Sequence, residues 1–225
     1  MNKDILDRID ENTWIISDTH IGHGKEGTGI LSFEPGRLTQ MRVDGYKANE
    51  HDKWVIDNWN AKVKPGETVL HLGDFSFKAV ADNIQKLNGN IILILGNHDG
   101  KGTEQKYQGV EAIKGFYFED EVGLLNKIYN PIPNDRMLSG LIKEINGEKL
   151  LFCHYEIHTT DPWDYQNKRI APRIEVLKNI FENHKCKYNI HGHTHSSPSS
   201  TNFSKNVSFE QIGFAPIRLG ELLSK

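Results

Sequence analysis

Five short apolar runs each stop at a cluster of Gly, Asp, Asn or His, and no other feature constrains this 225-residue chain as much. Thr13–Ser17 (TWIIS) runs into Asp18-Thr19-His20, and Thr68–Leu72 (TVLHL) into Gly73-Asp74. Ile91–Leu95 (IILIL) runs into Gly96-Asn97-His98-Asp99 and Leu150–Cys153 (LLFC) into His154. Lys187–Ile190 (KYNI) runs into His191-Gly192-His193-Thr194-His195. Aliphatic and β-branched runs of this length, bounded in this way, read as buried strands. Ligands in open α/β sheets bind outside the carboxyl ends of strands. The five ends can therefore bring residues from Asp18 to His195 to one edge.

Helical spacing of Trp54, Val55, Ile56, Trp59 and Val63 predicts a helix over Ala48–Val63, stopped by Pro65-Gly66. Lys78–Leu87 reads as a short helix, and Pro172–His184 as an amphipathic one with Ile174, Leu177, Ile180 and Phe181 on one face. Gly22–Gly36 reads as a long polar loop, and Ser196–Ser200 as a surface loop. Asn146-Gly147 tolerates positive φ at both turn positions, so Leu138–Ile145 and Lys149–Cys153 should pair as a hairpin. Val207–Phe209 and Ile217–Leu219 read as late strands. Strands alternating with helices, followed by hairpins, give an α/β class with mixed sheets.

Composition excludes several functions. With 27 Lys+Arg against 30 Asp+Glu, the chain lacks the basic excess of a general nucleic-acid binder. No run approaches the roughly 18 apolar residues of a membrane helix. Two cysteines, Cys153 and Cys186, are too few for a disulfide framework, and the N-terminal residues are polar. The expectation is a cytoplasmic chain with no membrane partner.

Carboxylate, imidazole and amide donors together suit borderline first-row cations; an all-oxygen Mg²⁺ or Ca²⁺ site would use fewer imidazoles. Gly73, Gly96 and Gly192 sit beside these donors, where a missing Cβ lets backbone approach an ion.

DTH, GD, GNHD, an isolated His and GHTH, in this order, resemble the calcineurin-like metallophosphoesterase superfamily, in its small bacterial and phage-type form. The resemblance implies two mixed β-sheets packed face to face and flanked by helices, an α/β/β/α sandwich. It implies one domain over residues 1–225, with 22–62 a loop-helix insertion bordering the site; the long segment between Asp18 and Asp74 is expected to supply a lid or specificity wall, since long ordered loops tend to be functional. Two divalent metal ions are implied, Mn²⁺ first, with Fe, Zn²⁺ or Ni²⁺ as alternatives. Asp18, His20, Asp74 and His195 would hold one ion, and Asp74, Asn97, His154 and His193 the other. His98 would be the catalytic imidazole, oriented by Asp99. Two such ions about 3.5–4 Å apart can generate a hydroxide nucleophile and clamp both oxygens of an in-line displacement.

The implied activity is hydrolysis of a small phosphate ester, with phosphodiester or nucleotide-like substrates favoured. The alternatives are a phosphomonoesterase of the same family and a non-catalytic metal-binding scaffold. All seven ligand positions are filled, which disfavours the scaffold. A β-lactamase-like hydrolase would need His-x-His-x-Asp-His, but Ser-Ser follows His195. Among other residues, Trp54, Val55, Trp59, His71 and Cys153 read as core. His51 reads as solvated or structural, and His184 as a helix-end residue. His23 and His158 are open between structural and substrate-contacting roles. Lys25, Arg37 and Arg42 read as solvated charges rather than phosphate clamps.

Overall fold

A computed structural model describes residues 3–77, 81–99, 109–119, 125–128, 132, 135 and 138–224. In chain order its strands are β1 (Trp14–Ile16), β2 (Gly24–Lys25), β3 (Thr28–Gly29), β4 (Thr68–His71) and β5 (Asn90–Ile94). There follow β6 (Val110–Ile113), β7 (Phe116–Glu119), β8 (Leu125–Ile128), β9 (Gly140–Ile145) and β10 (Glu148–Cys153). β11 (Tyr188–His191), β12 (Ser204–Asn206) and β13 (Ile217–Arg218) complete the set.

One sheet has the order β13-β1-β4-β5-β6, the second β12-β11-β10-β9-β7-β8, and β2-β3 form a small separate ribbon. Both large sheets are mixed. β1, β4, β5 and β6 run parallel while β13 is antiparallel to β1. β10 lies parallel to β11 and antiparallel to β9.

The apolar runs alternate between two interiors because successive side chains point to opposite faces. Ile15, Leu70, Leu72, Ile92 and Ile94 face the second sheet, where they meet Leu141, Leu150, Phe152 and Ile190. Their neighbours Ile16, Val69, Ile91 and Leu93 face the other way, against Met41, Trp54, Val55 and Trp59. On the far side of the second sheet, Ile142, Leu151 and Cys153 pack on Ile170, Ile174, Leu177 and Ile180 of the helix Ile170–Asn183. Burial on both faces is why these strands read as continuous apolar runs. The result is the expected helix–sheet–sheet–helix layering.

Register sets the site. Ile16 pairs with His71, which pairs with Leu93, so β1, β4 and β5 end level. Phe152 pairs with Ile190, so β10 and β11 also end level. The hairpin forms at Asn146 (φ 53°) and Gly147 (φ 79°), as expected from the sequence.

Three expectations are corrected. Gly22–Gly36 is not simply a loop: it contains the β2-β3 ribbon, the short helix Ile30–Phe33 and the start of the helix Pro35–Val43. Val207–Phe209 is not a strand. It donates from Val207 N to His191 O (2.8 Å), while Phe209 N donates to Ser17 O (3.0 Å). Those bonds tie it to β11 at one end and to β1 at the other, so it cannot run along either sheet. The helix predicted over Lys78–Leu87 ends at Ile84 rather than Leu87; it is described over Ala81–Ile84, and residues 78–80 lie outside the described residues.

Candidate metal centre

Beyond the strand ends the backbone turns abruptly. Asp18 (φ 59°), His20 (49°), Asp74 (52°), His193 (68°) and His195 (47°) all occupy the left-handed region. That conformation costs an L residue about 1–2 kcal/mol, and such strain collects where function demands a geometry. The loops interlock as well. Asp18 N donates to Gly73 O (3.0 Å), His20 N to Asp74 O (3.0 Å) and Gly192 N to His154 O (3.0 Å). Gly192 is required by close approach, since a Cβ there would lie 2.0 Å from Ser17 Oγ and 2.4 Å from Asp18 Oδ2.

All seven expected ligands come together. Asp74 lies between two groups of donors, with Oδ2 3.6 Å from His20 Nε2 and Oδ1 3.6 Å from His154 Nε2. His154 Nε2 is 3.0 Å from Asn97 Oδ1, and the His154 and His193 ring centroids are 5.0 Å apart. His195 Nε2 is 3.9 Å from Asp18 Oδ1. One donor atom from each of Asp18, His20 and His195 lies within 4.8 Å of the others, and the same holds for Asp18, Asp74 and His154. Donors about 2.0–2.2 Å from a shared tetrahedral ion stand roughly 3.4 Å apart, so these spacings fit ligation.

The fit to a cation rests on the buried atoms. Asp18 Oδ1 and both ring nitrogens of His20 are buried with no hydrogen-bond partner. Each such orphan costs about 1–3 kcal/mol, and a divalent ion would satisfy Asp18 Oδ1 and one nitrogen of His20 together. The second oxygen of Asp18 is occupied, accepting from His193 N (2.9 Å) and Ser208 Oγ (2.9 Å). Burial alone would raise the Asp18 pKa. His195, His154, Ser17 and the His193 N–H outweigh it and hold the carboxyl well below its ordinary range. Burial and the nearby cationic groups push His20 down, so its imidazole is neutral and able to ligate. Burial also lowers His154 against the pull of Asp74 and Asp18. His195 moves the other way: Asp18 and Glu210 overcome burial and raise it to about 9. Metal uptake there would release a proton.

His98 differs from the ligands. Its side chain is 43% exposed, with Nε2 3.9 Å from Asp74 Oδ2, and its backbone N–H donates to Asp74 Oδ1 (2.9 Å). Asp99 is buried, and its carboxylate accepts from Asp74 N (2.8 Å), Phe75 N (3.1 Å) and Gly96 N (2.8 Å). These bonds join the GD and GNHD turns on which His98 sits; among the described residues Asp99 makes no hydrogen bond to the imidazole. Burial and Asp74 push the Asp99 carboxyl upward, and the three amides oppose that shift.

The centre opens on a cavity of about 540 Å³. Ile30, Phe33 and Glu34 line it from the 22–62 segment, and Asp161, Asp164 and Thr194 from the opposite side. His23 also lines it, stacked on Phe77 at 4.0 Å. His158 packs against Phe203 instead. His71 is buried, hydrogen-bonded to Thr19 Oγ1 (3.0 Å), and burial drives its pKa down to about 3.

The sequence reading missed three residues here. Asp164 Oδ1 lies 3.0 Å from His193 Nε2. Glu210 Oε1 lies 3.4 Å from His195 Nδ1. Arg37, expected to be solvated, is fully buried against Glu210. His51 is buried too, with Nε2 3.4 Å from Arg37 Nη1, so its role is structural. Asp164, Glu210 and Arg37 are each a single residue with no spacing signal that could have marked it.

Comparison with known proteins gives the family and the fold. A gene 66 protein of Mycobacterium phage L5 is 36% identical over 95 residues, 40% of each chain. An uncharacterized protein of Methanocaldococcus jannaschii is 30% identical over 103 residues, 44% of this chain and 51% of that one. The matches thus span about half or less of those relatives. The crystal structure of a protein of unknown function from Aquifex aeolicus superposes over 94% of this chain and 97% of its own, with a TM-score of 0.63 at 22% identity, and so shares the fold. Among the described residues no helix is long and apolar enough to cross a membrane. The calcineurin-like phosphoesterase superfamily domain matches residues 12–209, which covers the strand ends from Asp18 to His195, and the chain belongs to that superfamily.

Proposed function

We propose that the chain is a metal-dependent phosphoesterase using two divalent ions, with a phosphodiester or nucleotide-like substrate. The observation that carries this reading is Asp74, set between two donor groups beside the unpartnered Asp18 Oδ1 and His20 nitrogens. Two divalent ions bound there would activate a water and neutralise the phosphate for in-line displacement. Asp18, His20 and His195 would hold one, Asn97, His154 and His193 the other, and Asp74 both. Mn²⁺ suits this carboxylate–imidazole–amide set, as do Fe, Zn²⁺ and Ni²⁺.

His98 faces the cavity with an accessible imidazole and would hold the proton needed by the leaving oxygen. Asp99 would keep its turn in place through the three amides. Charge favours a diester. Among the described residues no Lys or Arg lines the cavity, whereas Glu34, Asp161 and Asp164 do. A diester carries one negative charge. A monoester dianion or a polyphosphate would bring additional charge toward those carboxylates with no basic side chain to meet it.

The test uses metal-stripped protein with Mn²⁺ added back, assayed on bis-p-nitrophenyl phosphate and p-nitrophenyl phosphate. Turnover that depends on Mn²⁺ and is faster on the diester is expected. No hydrolysis of either ester, or of nucleotide esters, with two ions bound would overturn the catalytic reading.

A further inference from the structure

Arg37 is a cation buried completely beside a centre that is meant to bind cations, and its hydrogen bonds explain why. It comes from the helix Pro35–Val43, within the 22–62 segment. Nη2 donates to Asp18 O (2.5 Å), Nη1 to Thr19 O (3.2 Å), and Nε to Glu210 Oε1. The guanidinium also lies over the Phe209 ring, 5.1 Å from its centroid. Glu210 Oε1 in turn stands 3.4 Å from His195 Nδ1. One fork therefore grips the DTH loop by two carbonyls and, through a single carboxylate, reaches the last histidine of GHTH.

We propose that Arg37 and Glu210 are positioning residues for the ion expected at Asp18, His20 and His195. A neutral imidazole has one lone pair, and the partner of its other nitrogen decides which nitrogen carries it. Glu210 Oε1, 3.4 Å from Nδ1 of His195, would accept from an Nδ1–H and leave Nε2, the nitrogen facing Asp18 Oδ1, as the ligand atom. Carboxylate partners of this kind fix ring orientation and raise ligand basicity. Arg37 Nε pairs with the same Oε1, which keeps this buried carboxylate directed at His195. The two carbonyl bonds hold Asp18 in its left-handed conformation. Both residues act on one ion only, because Asn97 and His154 have no contact with the fork among the described residues. The inference rests on the two-ion reading above.

The experiment titrates the full-length, metal-stripped chain with Mn²⁺ by calorimetry, with bound metal counted independently. H195A and H154A serve as references that assign each binding phase. In Glu210→Met, and in the double variant Arg37→Met/Glu210→Met that leaves neither charge unpaired, the Asp18-side phase should weaken about 10–100-fold. The Asn97-side phase should keep wild-type affinity, which also reports that the fold is intact. Glu210→Gln, whose amide oxygen can still accept from Nδ1–H, should bind more tightly than Glu210→Met. Wild-type affinity at both phases in Glu210→Met would overturn the proposal, and so would equal weakening of both. Equal losses in Glu210→Gln and Glu210→Met would overturn the orienting role of Glu210. Failure of the wild-type chain to bind two ions would instead overturn the two-ion reading on which the proposal stands.

Discussion

His98 and Gly192 show how differently two residues of one site are constrained. The backbone of His98 is held by Asp74 Oδ1 and its turn by the Asp99 amide bonds, while its ring stays exposed at the cavity surface. His98→Asn should therefore keep both ions while lowering kcat about 10²–10⁴-fold on esters with alkyl leaving groups. The loss should be much smaller on p-nitrophenyl esters, whose leaving group needs no proton; steady-state rates on the two substrate types, with metal content checked, make the comparison. Gly192 has no such freedom, since its missing Cβ is the space occupied by Ser17 Oγ and Asp18 Oδ2. Gly192→Ala should cost about 1–3 kcal/mol through overpacking and weaken Mn²⁺ uptake as Asp18 is displaced. Urea unfolding with and without metal would measure both effects, and a variant as stable as wild type would show that the loops yield more easily than their interlocking suggests.

Elements are tied together at some distance from the site. At the edge of the first sheet, Glu67 accepts from Lys64 N (2.6 Å) and Trp14 Nε1 (2.9 Å), and Arg218 of β13 pairs with its other oxygen. The Lys64 N–H, helped by Trp14 and Arg218, holds the Glu67 carboxyl at about 2 rather than 4.5. A depressed carboxyl pKa stabilises the fold above the unfolded value, and that contribution disappears as pH falls from about 4.5 toward 2. The group is 28% exposed, which keeps the contribution on the order of 1 kcal/mol. Glu67→Gln should accordingly be less stable than wild type at pH 6, with the gap closing toward pH 2–3; a gap independent of pH in urea midpoints would sink the assignment. The hairpin at Asn146-Gly147 was legible because both turn residues tolerate positive φ. The segment Val207–Phe209 was not, because its alternating apolar pattern fits a strand and only its hydrogen bonds to two different sheets forbid one.

At the scale of the molecule, the centre joins both sheets, so ion binding and global stability should be linked. Mn²⁺ at a hundred times its Kd adds about 2.7 kcal/mol per site. For a chain of this size that should raise the melting temperature by about 5–10 °C for each site filled, and a chelator should reverse it; a melting curve indifferent to Mn²⁺ in metal-stripped protein would contradict the linkage. The sequence by itself determined the layers and placed seven candidate donors just past the strand ends. A strand buried on both faces must be written as an unbroken apolar run, and donors placed directly after such runs must emerge at the sheet edge. Only the tertiary structure decided what supports those donors. Arg37, Glu210 and Asp164 become partners of the ligand loops through contacts such as Arg37 to Glu210, 173 positions apart. An isolated charge looks the same in a sequence whether it ends in water or in the core; chain packing alone removes it from solvent and obliges it to find a partner.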